Sequence, residues 1–417
     1  MLKRNFKLYI TLFLILNLVT FDIVGGLMLE ILYFLTLTLV LFTLKSHPTS
    51  LIFVFLINFM SGFTPVITTF VDYELVLFDH EMVIQLLLVF NLSITILHTV
   101  SLFLKKRSVS IYILKKYKYS KLVLYFFSLF SMLVVYQNIS QGFEVLSNGY
   151  IAGYKSASEQ TIKATSLFPF LLIFYFLIFS RYLNDNKLYY LIIMLVIIIS
   201  YSMYGSRSFF LYSFISIMAF LLVLKKITYK KCFSLSILLL PIIVIAGALR
   251  EGISSEGVTI LLRMAIELAN IPMIISNLDV ISNLDQSLLM VILTTLPQSI
   301  IVPLGVEPLN SLATEFAVAY DPGWAEAGGG FGFSFVAEIY YRFGYVGLVF
   351  VPFVVIKLLH KLEDKFLQGD DFDKALILTG YYGMLMWVRG DFIEISRLLL
   401  IVLFFYYSKR LVYRNGK

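Results

Sequence analysis

Long apolar runs dominate the chain and predict membrane-spanning helices. A helix needs about 20 mostly apolar residues to cross the hydrocarbon core of a bilayer. About twelve runs meet that length, at residues 6–22, 27–44, 51–70, 82–104, 120–137, 165–183, 188–204, 207–224, 232–250, 334–358, 374–390 and 392–408. Basic residues precede the first run and no small-residue cleavage site follows it, so we expect an uncleaved first span.

A shorter interruption of the apolar pattern, at residues 138–164, is predicted to be an outer loop, and the longest interruption is at residues 251–333. ALREG (Ala248–Gly252) precedes this interruption, and DPGWAEAGGGFGFS (Asp321–Ser334) ends it. Within a single transmembrane domain of residues 1–417, we predict that residues 251–333 form a large extracytoplasmic loop or lid between spans 9 and 10.

Two segments of this loop are apolar enough to be spans themselves, Val258–Ser276 and Ser287–Leu304. If both crossed the membrane, the chain would have 14 spans, and the linker Asn277–Gln286 would be cytoplasmic. That linker has two aspartates and no basic residue, which argues against a cytoplasmic location. We therefore prefer short interfacial helices in the outer leaflet, with 14 spans as the alternative.

The distribution of lysine and arginine sets the predicted orientation, because cytoplasmic loops carry an excess of both. The strongest signals are KKRSVSIYILKKYKYSK (Lys105–Lys121) and KKITYKK (Lys225–Lys231). With both stretches inside, the N- and C-termini are also cytoplasmic. The acidic stretch Glu363–Lys374 then belongs to a cytoplasmic loop, which we expect to be solvated.

Composition supports an all-α, polytopic integral membrane protein. The chain is 59% hydrophobic and 14% charged, whereas soluble domains are about 45–50% apolar and about 25% charged. The basic cytoplasmic loops account for the net charge of +7, so we expect no nucleic-acid partner. Cys232 is the single cysteine and the four histidines have no metal-site spacing, so we expect no disulfide, metal or cofactor.

Six arginines near the predicted outer surface are the main candidate site residues. Arginine keeps its charge when partly desolvated, and its planar fork binds two phosphate oxygens at once. We interpret them as a site for a lipid-linked pyrophosphate, although any one of them can instead extend to lipid headgroups or pair with a carboxylate. The predicted catalytic arginines are Arg207 and Arg250, and the predicted substrate-binding arginines are Arg263, Arg342, Arg389 and Arg397.

Three further side chains complete the predicted site. Glu338 is interpreted as a general base acting on a sugar hydroxyl; the alternative is an i,i+4 ion pair with Arg342. Tyr204, beside Arg207, and Trp324, ahead of the glycine run, are predicted to bind substrate, with Trp324 stacking on sugar rings. The glycine run lacks the lysine and serine of a nucleotide-binding loop, so we exclude that function.

Three stretches of the sequence resemble the O-antigen polymerase (Wzy-type) family of oligosaccharide repeat-unit polymerases. They are YGSRSFF (Tyr204–Phe210), ALREG, and GGGFGFSFVAEIYYRFGYVG (Gly328–Gly347). The related O-antigen ligases usually carry a histidine in the large outer loop. No histidine lies between Glu251 and Phe333 here, which favours a polymerase over a ligase.

The resemblance implies a GT-C-like membrane glycosyltransferase at the outer face of the bacterial cytoplasmic (inner) membrane. Its substrate would be an oligosaccharide on undecaprenyl pyrophosphate, polymerised into O-antigen or capsule-type polysaccharide without a nucleotide sugar or metal. Membrane lipids and a chain-length-determining membrane protein are the other implied partners. The alternatives are an O-antigen ligase and a flippase or transporter; for a transporter we would expect more charges within the spans.

Overall fold

The computed structural model describes residues 27–70, 78–104, 121–148, 164–203, 207–236, 268–281, 288–296, 301–305, 307, 309–326 and 330–415. Every regular element in these residues is a helix. The α-helices are α1 (Leu27–Leu44), α2 (Pro48–Phe70), α3 (His80–Leu104), α4 (Lys121–Asn148), α5 (Ala164–Asp185), α6 (Leu188–Met203), α7 (Arg207–Val223), α8 (Asn270–Ser276), α9 (Leu288–Thr294), α10 (Leu312–Tyr320), α11 (Pro322–Glu326), α12 (Phe335–Gln368), α13 (Asp371–Met386) and α14 (Phe392–Asn415). Short 3-10 segments cover Leu278–Ile281 and Val302–Leu304.

The predicted runs coincide with these helices wherever the structure describes them. The runs from 27–44 to 207–224 correspond to α1 to α7, and the last three correspond to α12 to α14. The first run, 6–22, lies outside the described residues, and the run at 232–250 is described only to residue 236, helical from residue 229. Among the residues that the structure describes, four helices are long and apolar enough to cross a membrane: α2, α3, α5 and α12.

The described parts of the large loop contain short helices. The segment 287–304 holds α9, with seven residues, and the 3-10 turn Val302–Leu304. Because a helix rises about 1.5 Å per residue, α9 alone is far too short to cross a bilayer. Of the segment 258–276, the structure describes only the end, which contains α8.

The long helices pack as two groups joined at α12 and α13. In the first group, α3 packs against α1, α2 and α12; in the second, α5 packs against α4, α6 and α13, and α14 packs against α13. Helix α7 contacts both α2 and α13. The largest fully buried side chains of the core are aromatic and include Phe90, Tyr175, Phe220, Tyr381 and Phe335.

The acidic stretch Glu363–Lys374 is not a solvated loop, so that expectation is wrong. Helix α12 runs on to Gln368, and Glu363, Asp370 and Lys374 are buried. Glu363 Oε1 accepts hydrogen bonds from Thr49 N (2.8 Å) and Thr49 Oγ1 (2.7 Å). The carboxylate therefore fastens α12 to the start of α2.

Three of the four histidines, which are far apart in the sequence, lie close together at the end of the helices that contains Glu363. The His47 and His360 rings stack at a centroid distance of 3.6 Å, and the His98 ring lies 5.3 Å from His360. His47 Nδ1 is also 2.9 Å from Glu363 Oε2. Within the described residues, no group of three ligating side chains is arranged to hold a metal ion.

Helix α4 is longer than its apolar run indicates. It continues to Asn148, whereas the run ends at residue 137 and the sequence predicts a loop from Asn138. Asn138 and Gln141 are both buried although they are polar. These polar side chains face neighbouring helices instead of solvent. The helix can therefore continue beyond the residue at which the apolar run ends.

Candidate functional site

The site is organised around Glu338, in the first turn of α12. Ser334 caps this helix, since its Oγ accepts a hydrogen bond from Ala337 N at 3.0 Å. A carboxylate in the first turn is favoured by the helix dipole. Glu338 is only 1% exposed, so its charge needs partners within the protein.

Glu338 has such partners on three elements. Its Oε1 accepts from Arg342 Nε at 2.8 Å, one turn further along α12. Its Oε2 accepts from Trp387 Nε1 at 2.8 Å and from Phe392 N at 2.7 Å. The carboxylate thus ties the start of α12 to the turn between α13 and α14.

The glycine-rich segment packs on that turn at Gly332. Gly332 has φ of +78°, and a Cβ there would lie 2.9 Å from the backbone oxygen of Arg389. The next residue, Phe333, donates its backbone N–H to the same oxygen at 3.2 Å. Only glycine combines this conformation with so close an approach. We call Gly332, Phe333, Glu338, Arg342 and residues 387–392 the Glu338 junction.

A second buried carboxylate, Asp391, attaches the large loop to the Glu338 junction. Asp391 is 0% exposed, and its Oδ2 accepts from Ala313 N at 3.3 Å in the first turn of α10. The aromatic rings of α10 continue this contact, since Phe316 lies 6.1 Å from Phe331 and 6.5 Å from Phe333. The end of the loop is therefore packed against the spans.

Two arginines present their side chains at the surface beside this buried centre. Arg389 is exposed, while its backbone is held by the Phe333 contact and by its own N–H, which donates to Met386 O at 3.1 Å. Arg397 is exposed and its Nη2 donates to Thr294 O, at the end of α9, at 3.4 Å. A cation on a fixed backbone is well suited to hold an anionic ligand.

The structure brings together three of the predicted site residues, Glu338, Arg342 and Arg389. Trp324 is 45% exposed on α11, where its N–H donates to Asp321 Oδ1 at 3.0 Å. The side chain of Arg207, which begins α7, lies outside the described residues, as do Tyr204, Arg250 and Arg263.

The second turn of α7 nevertheless lies close to the Glu338 junction. The Tyr212 ring meets Tyr382 of α13 at a centroid distance of 6.0 Å, and α13 leads directly into the turn that carries Trp387 and Arg389. The helix that Arg207 begins is therefore packed near the surface on which Arg389 is displayed.

The arrangement of Glu338 corresponds to the ion-pair alternative. Both of its oxygens already accept hydrogen bonds from protein donors, and the side chain is 1% exposed, so little of the carboxylate is open to a substrate hydroxyl. Sequence spacing suggested Arg342 as a partner but not Trp387 or Phe392, which are 49 and 54 residues away. A tryptophan near a span end is usually interpreted as an interfacial residue, so the sequence contained no signal for this contact.

Comparison with known proteins identifies the family. A family model for the O-antigen polysaccharide polymerase Wzy matches residues 4–415, nearly the whole chain. No curated protein and no solved structure matches the chain. Members are integral membrane proteins that polymerise O-antigen repeat units supplied as lipid-linked oligosaccharides. The chain belongs to the O-antigen polysaccharide polymerase Wzy family.

Proposed function

We propose that this protein transfers a growing glycan from undecaprenyl pyrophosphate onto the free end of a new lipid-linked repeat unit. A hydroxyl of the new unit attacks the anomeric carbon of the chain and forms the glycosidic bond. The bond from that carbon to the pyrophosphate oxygen breaks, and the lipid pyrophosphate leaves with the electron pair. The hydroxyl proton passes to a base.

The observation that carries this proposal is the pair of exposed arginines, Arg389 and Arg397, beside a junction fixed by buried carboxylates. Negative charge grows on the leaving pyrophosphate, and fixed guanidinium groups stabilise it without reorganising. We assign this role to Arg207, Arg250 and Arg389, with support from Arg263 and Arg397.

Glu338 receives a positioning role in this proposal. By holding Arg342, Trp387 and the start of α14, it fixes the backbone from which Arg389 projects. Trp324, which is exposed on α11, and Tyr204 are the proposed substrate contacts, with Trp324 stacking on a sugar ring. The loop of residues 251–333 serves as a lid over the site.

The proposed arrangement in the membrane has twelve spans of GT-C-like type, both termini in the cytoplasm and the Glu338 junction at the outer face of the inner membrane. Contacts between helices support it, because residues predicted for one side contact each other. Tyr229 donates to the Lys45 carbonyl and Asn184 to Asp371 on the predicted inner side. Asp79 N donates to Ser276 Oγ on the predicted outer side. A chain-length-determining membrane protein is a proposed partner.

A cell-free assay tests the proposal. The purified protein in lipid nanodiscs, with lipid-linked repeat units and no membrane gradient, is expected to produce a ladder of glycan lengths. A nanodisc has no second compartment, so a flippase would leave the repeat units unjoined. If the repeat units stay unjoined although the substrate is active and the protein is folded, the proposal is overturned.

A further inference from the structure

An open surface cavity of about 400 Å³ lies where the large loop meets α12. This volume is within the usual range of small-ligand sites, about 300–1,000 Å³. The cavity, which we call the tyrosine pocket, is lined by Leu278, Asp279, Tyr340, Tyr341, Gly344 and Tyr345. It lies just beyond Arg342 on the helix that carries Glu338.

The tyrosine pocket is formed by a break in α12. Gly344 has φ of 59° and ψ of −152°, which are not helical values. This backbone conformation is almost restricted to glycine, which has no Cβ to clash there. A Cβ on Gly344 would meet nothing within 4 Å, so the backbone itself faces open space.

Contacts between the loop and the helix hold the pocket walls in place. Tyr341 donates its hydroxyl to the Ile281 carbonyl at 3.0 Å, which fixes the 3-10 segment Leu278–Ile281 against α12. The Tyr340 and Tyr345 rings meet edge to face at 5.2 Å. Tyr345 is 49% exposed, so part of its ring is open to a ligand.

The lining chemistry fits a sugar ring. Aromatic faces carry negative charge density that attracts the C–H groups of a sugar, while the Asp279 carboxylate accepts hydrogen bonds from sugar hydroxyls. Asp279 is exposed and is the one charged side chain among the described lining residues. Its negative charge disfavours a phosphate, and an alkyl chain would desolvate it without a hydrogen bond in return.

We propose that the tyrosine pocket binds one uncharged sugar ring of the lipid-linked repeat unit. This assignment rests on the proposed function, since it places a sugar beside the Glu338 junction. An exposed carboxylate is costly in hydrocarbon, so Asp279 places the pocket mouth at the membrane surface. The sugars of a lipid-linked unit lie at that same level.

Binding measurements test the assignment directly. The probe is the repeat-unit oligosaccharide released by mild acid from its lipid carrier, added to protein in phospholipid nanodiscs free of sugar detergents. Saturation-transfer NMR gives its affinity for wild type, Tyr345→Ala, Tyr345→Phe and Asp279→Asn. Tyr136→Ala is the matched control, because Tyr136 is 74% exposed on α4.

We expect Tyr345→Ala and Asp279→Asn each to weaken binding by about tenfold or more, the loss typical of a hydrogen bond to a charged group or of an aromatic contact. Tyr345→Phe and Tyr136→Ala should bind as wild type does. Unchanged affinity in both Tyr345→Ala and Asp279→Asn, or no binding to folded wild type, would overturn the assignment.

The polymerisation assay distinguishes a failure of the tyrosine-pocket assignment from a failure of the proposed function. If Tyr345→Ala and Asp279→Asn both produce the wild-type ladder with an unchanged KM, the sugar-binding assignment of the pocket is wrong and the proposed polymerase function stands. Absence of a wild-type ladder refutes the polymerase, and the NMR affinities then still decide whether the pocket binds a sugar.

Discussion

At the scale of single residues, the Glu338 junction depends on one buried charge. Removing a carboxylate from water costs several kcal/mol unless hydrogen bonds and an opposite charge compensate it. Glu338 has both, from Arg342, Trp387 and the Phe392 backbone. The same contacts that make the burial possible also set the position of Arg389.

Replacing Glu338 with glutamine should destabilise the protein. Arg342 would lose its counter-charge in a buried site, and breaking such a pair typically costs about 3–5 kcal/mol. Thermal unfolding in detergent measures the change, with Glu326→Gln as control because Glu326 is exposed on α11. An unchanged unfolding midpoint together with lost polymer would contradict the positioning role and favour a general base.

Gly332→Ala should also destabilise the protein, whereas Gly330→Ala should not. A side chain at Gly332 would adopt an unfavourable φ and clash with the Arg389 carbonyl, while a Cβ at Gly330 meets nothing within 4 Å. Strain at such a position costs about 1–3 kcal/mol. Unfolding midpoints of the two variants give the comparison, and equal midpoints would show that the packing at Gly332 is not needed.

Sequence reasoning reached part of this site and missed the rest for a physical reason. The spacing of Glu338 and Arg342 predicts a contact because residues four apart share a helix face. Trp387, Phe392 and Ala313 reach the two buried acids only through tertiary packing. No periodicity in the sequence encodes such contacts.

At the scale of elements, α12 is two helical pieces joined at Gly344. The bend also explains Gly347, since a Cβ there would lie 2.4 Å from Phe343 Cβ and 2.9 Å from Ile339 Cγ2. The Phe-Gly-Tyr-Val-Gly stretch therefore has one glycine for an unusual conformation and one for close packing. Of the two, Gly344 lines the tyrosine pocket.

Gly344→Ala should lower the unfolding free energy by about 1–3 kcal/mol through backbone strain alone. Gly380→Ala is the matched control in α13, where the nearest atom to a new Cβ is 3.8 Å away. That control should be neutral or stabilising by up to about 1 kcal/mol, because alanine favours a helix. A neutral Gly344→Ala would show that the break in α12 is not required.

Apolar runs located the helices well but not their ends. Helix α12 begins at Phe335, one residue from the predicted start, but extends to Gln368 instead of residue 358. The added turns carry Glu363, whose contacts with Thr49 and His47 replace water. Hydropathy cannot distinguish a polar residue that faces solvent from one that pairs with a neighbouring helix.

At the scale of the whole molecule, the ion pairs of the described residues lie at two opposite ends of the helices. Glu363, Asp370 and Lys409 belong to one end, where Lys409 Nζ contacts both Asp370 and Asp373. Glu338 and Asp391 belong to the other, together with the large loop. This separation is expected for a protein whose middle lies in hydrocarbon.

Cysteine labelling tests the proposed orientation. In a Cys232→Ser background, a cysteine at Glu326 should react with an impermeant maleimide added to spheroplasts. A cysteine at Asp364 should react only after permeabilisation, since both residues are exposed but at opposite ends. The reverse pattern would place the Glu338 junction in the cytoplasm, away from the proposed substrate.

The rate at which undecaprenyl pyrophosphate is released during chain joining tests most directly whether the exposed arginines stabilise the leaving group. In nanodiscs, Arg389→Ala combined with Arg397→Ala should slow release by about 10²- to 10³-fold, as for loss of a transition-state contact. The variant that combines Arg389→Lys with Arg397→Lys should show a smaller decrease in the rate of release. Arg181→Ala, at the opposite end, should match wild type. An unchanged rate in the folded double alanine variant would contradict the account.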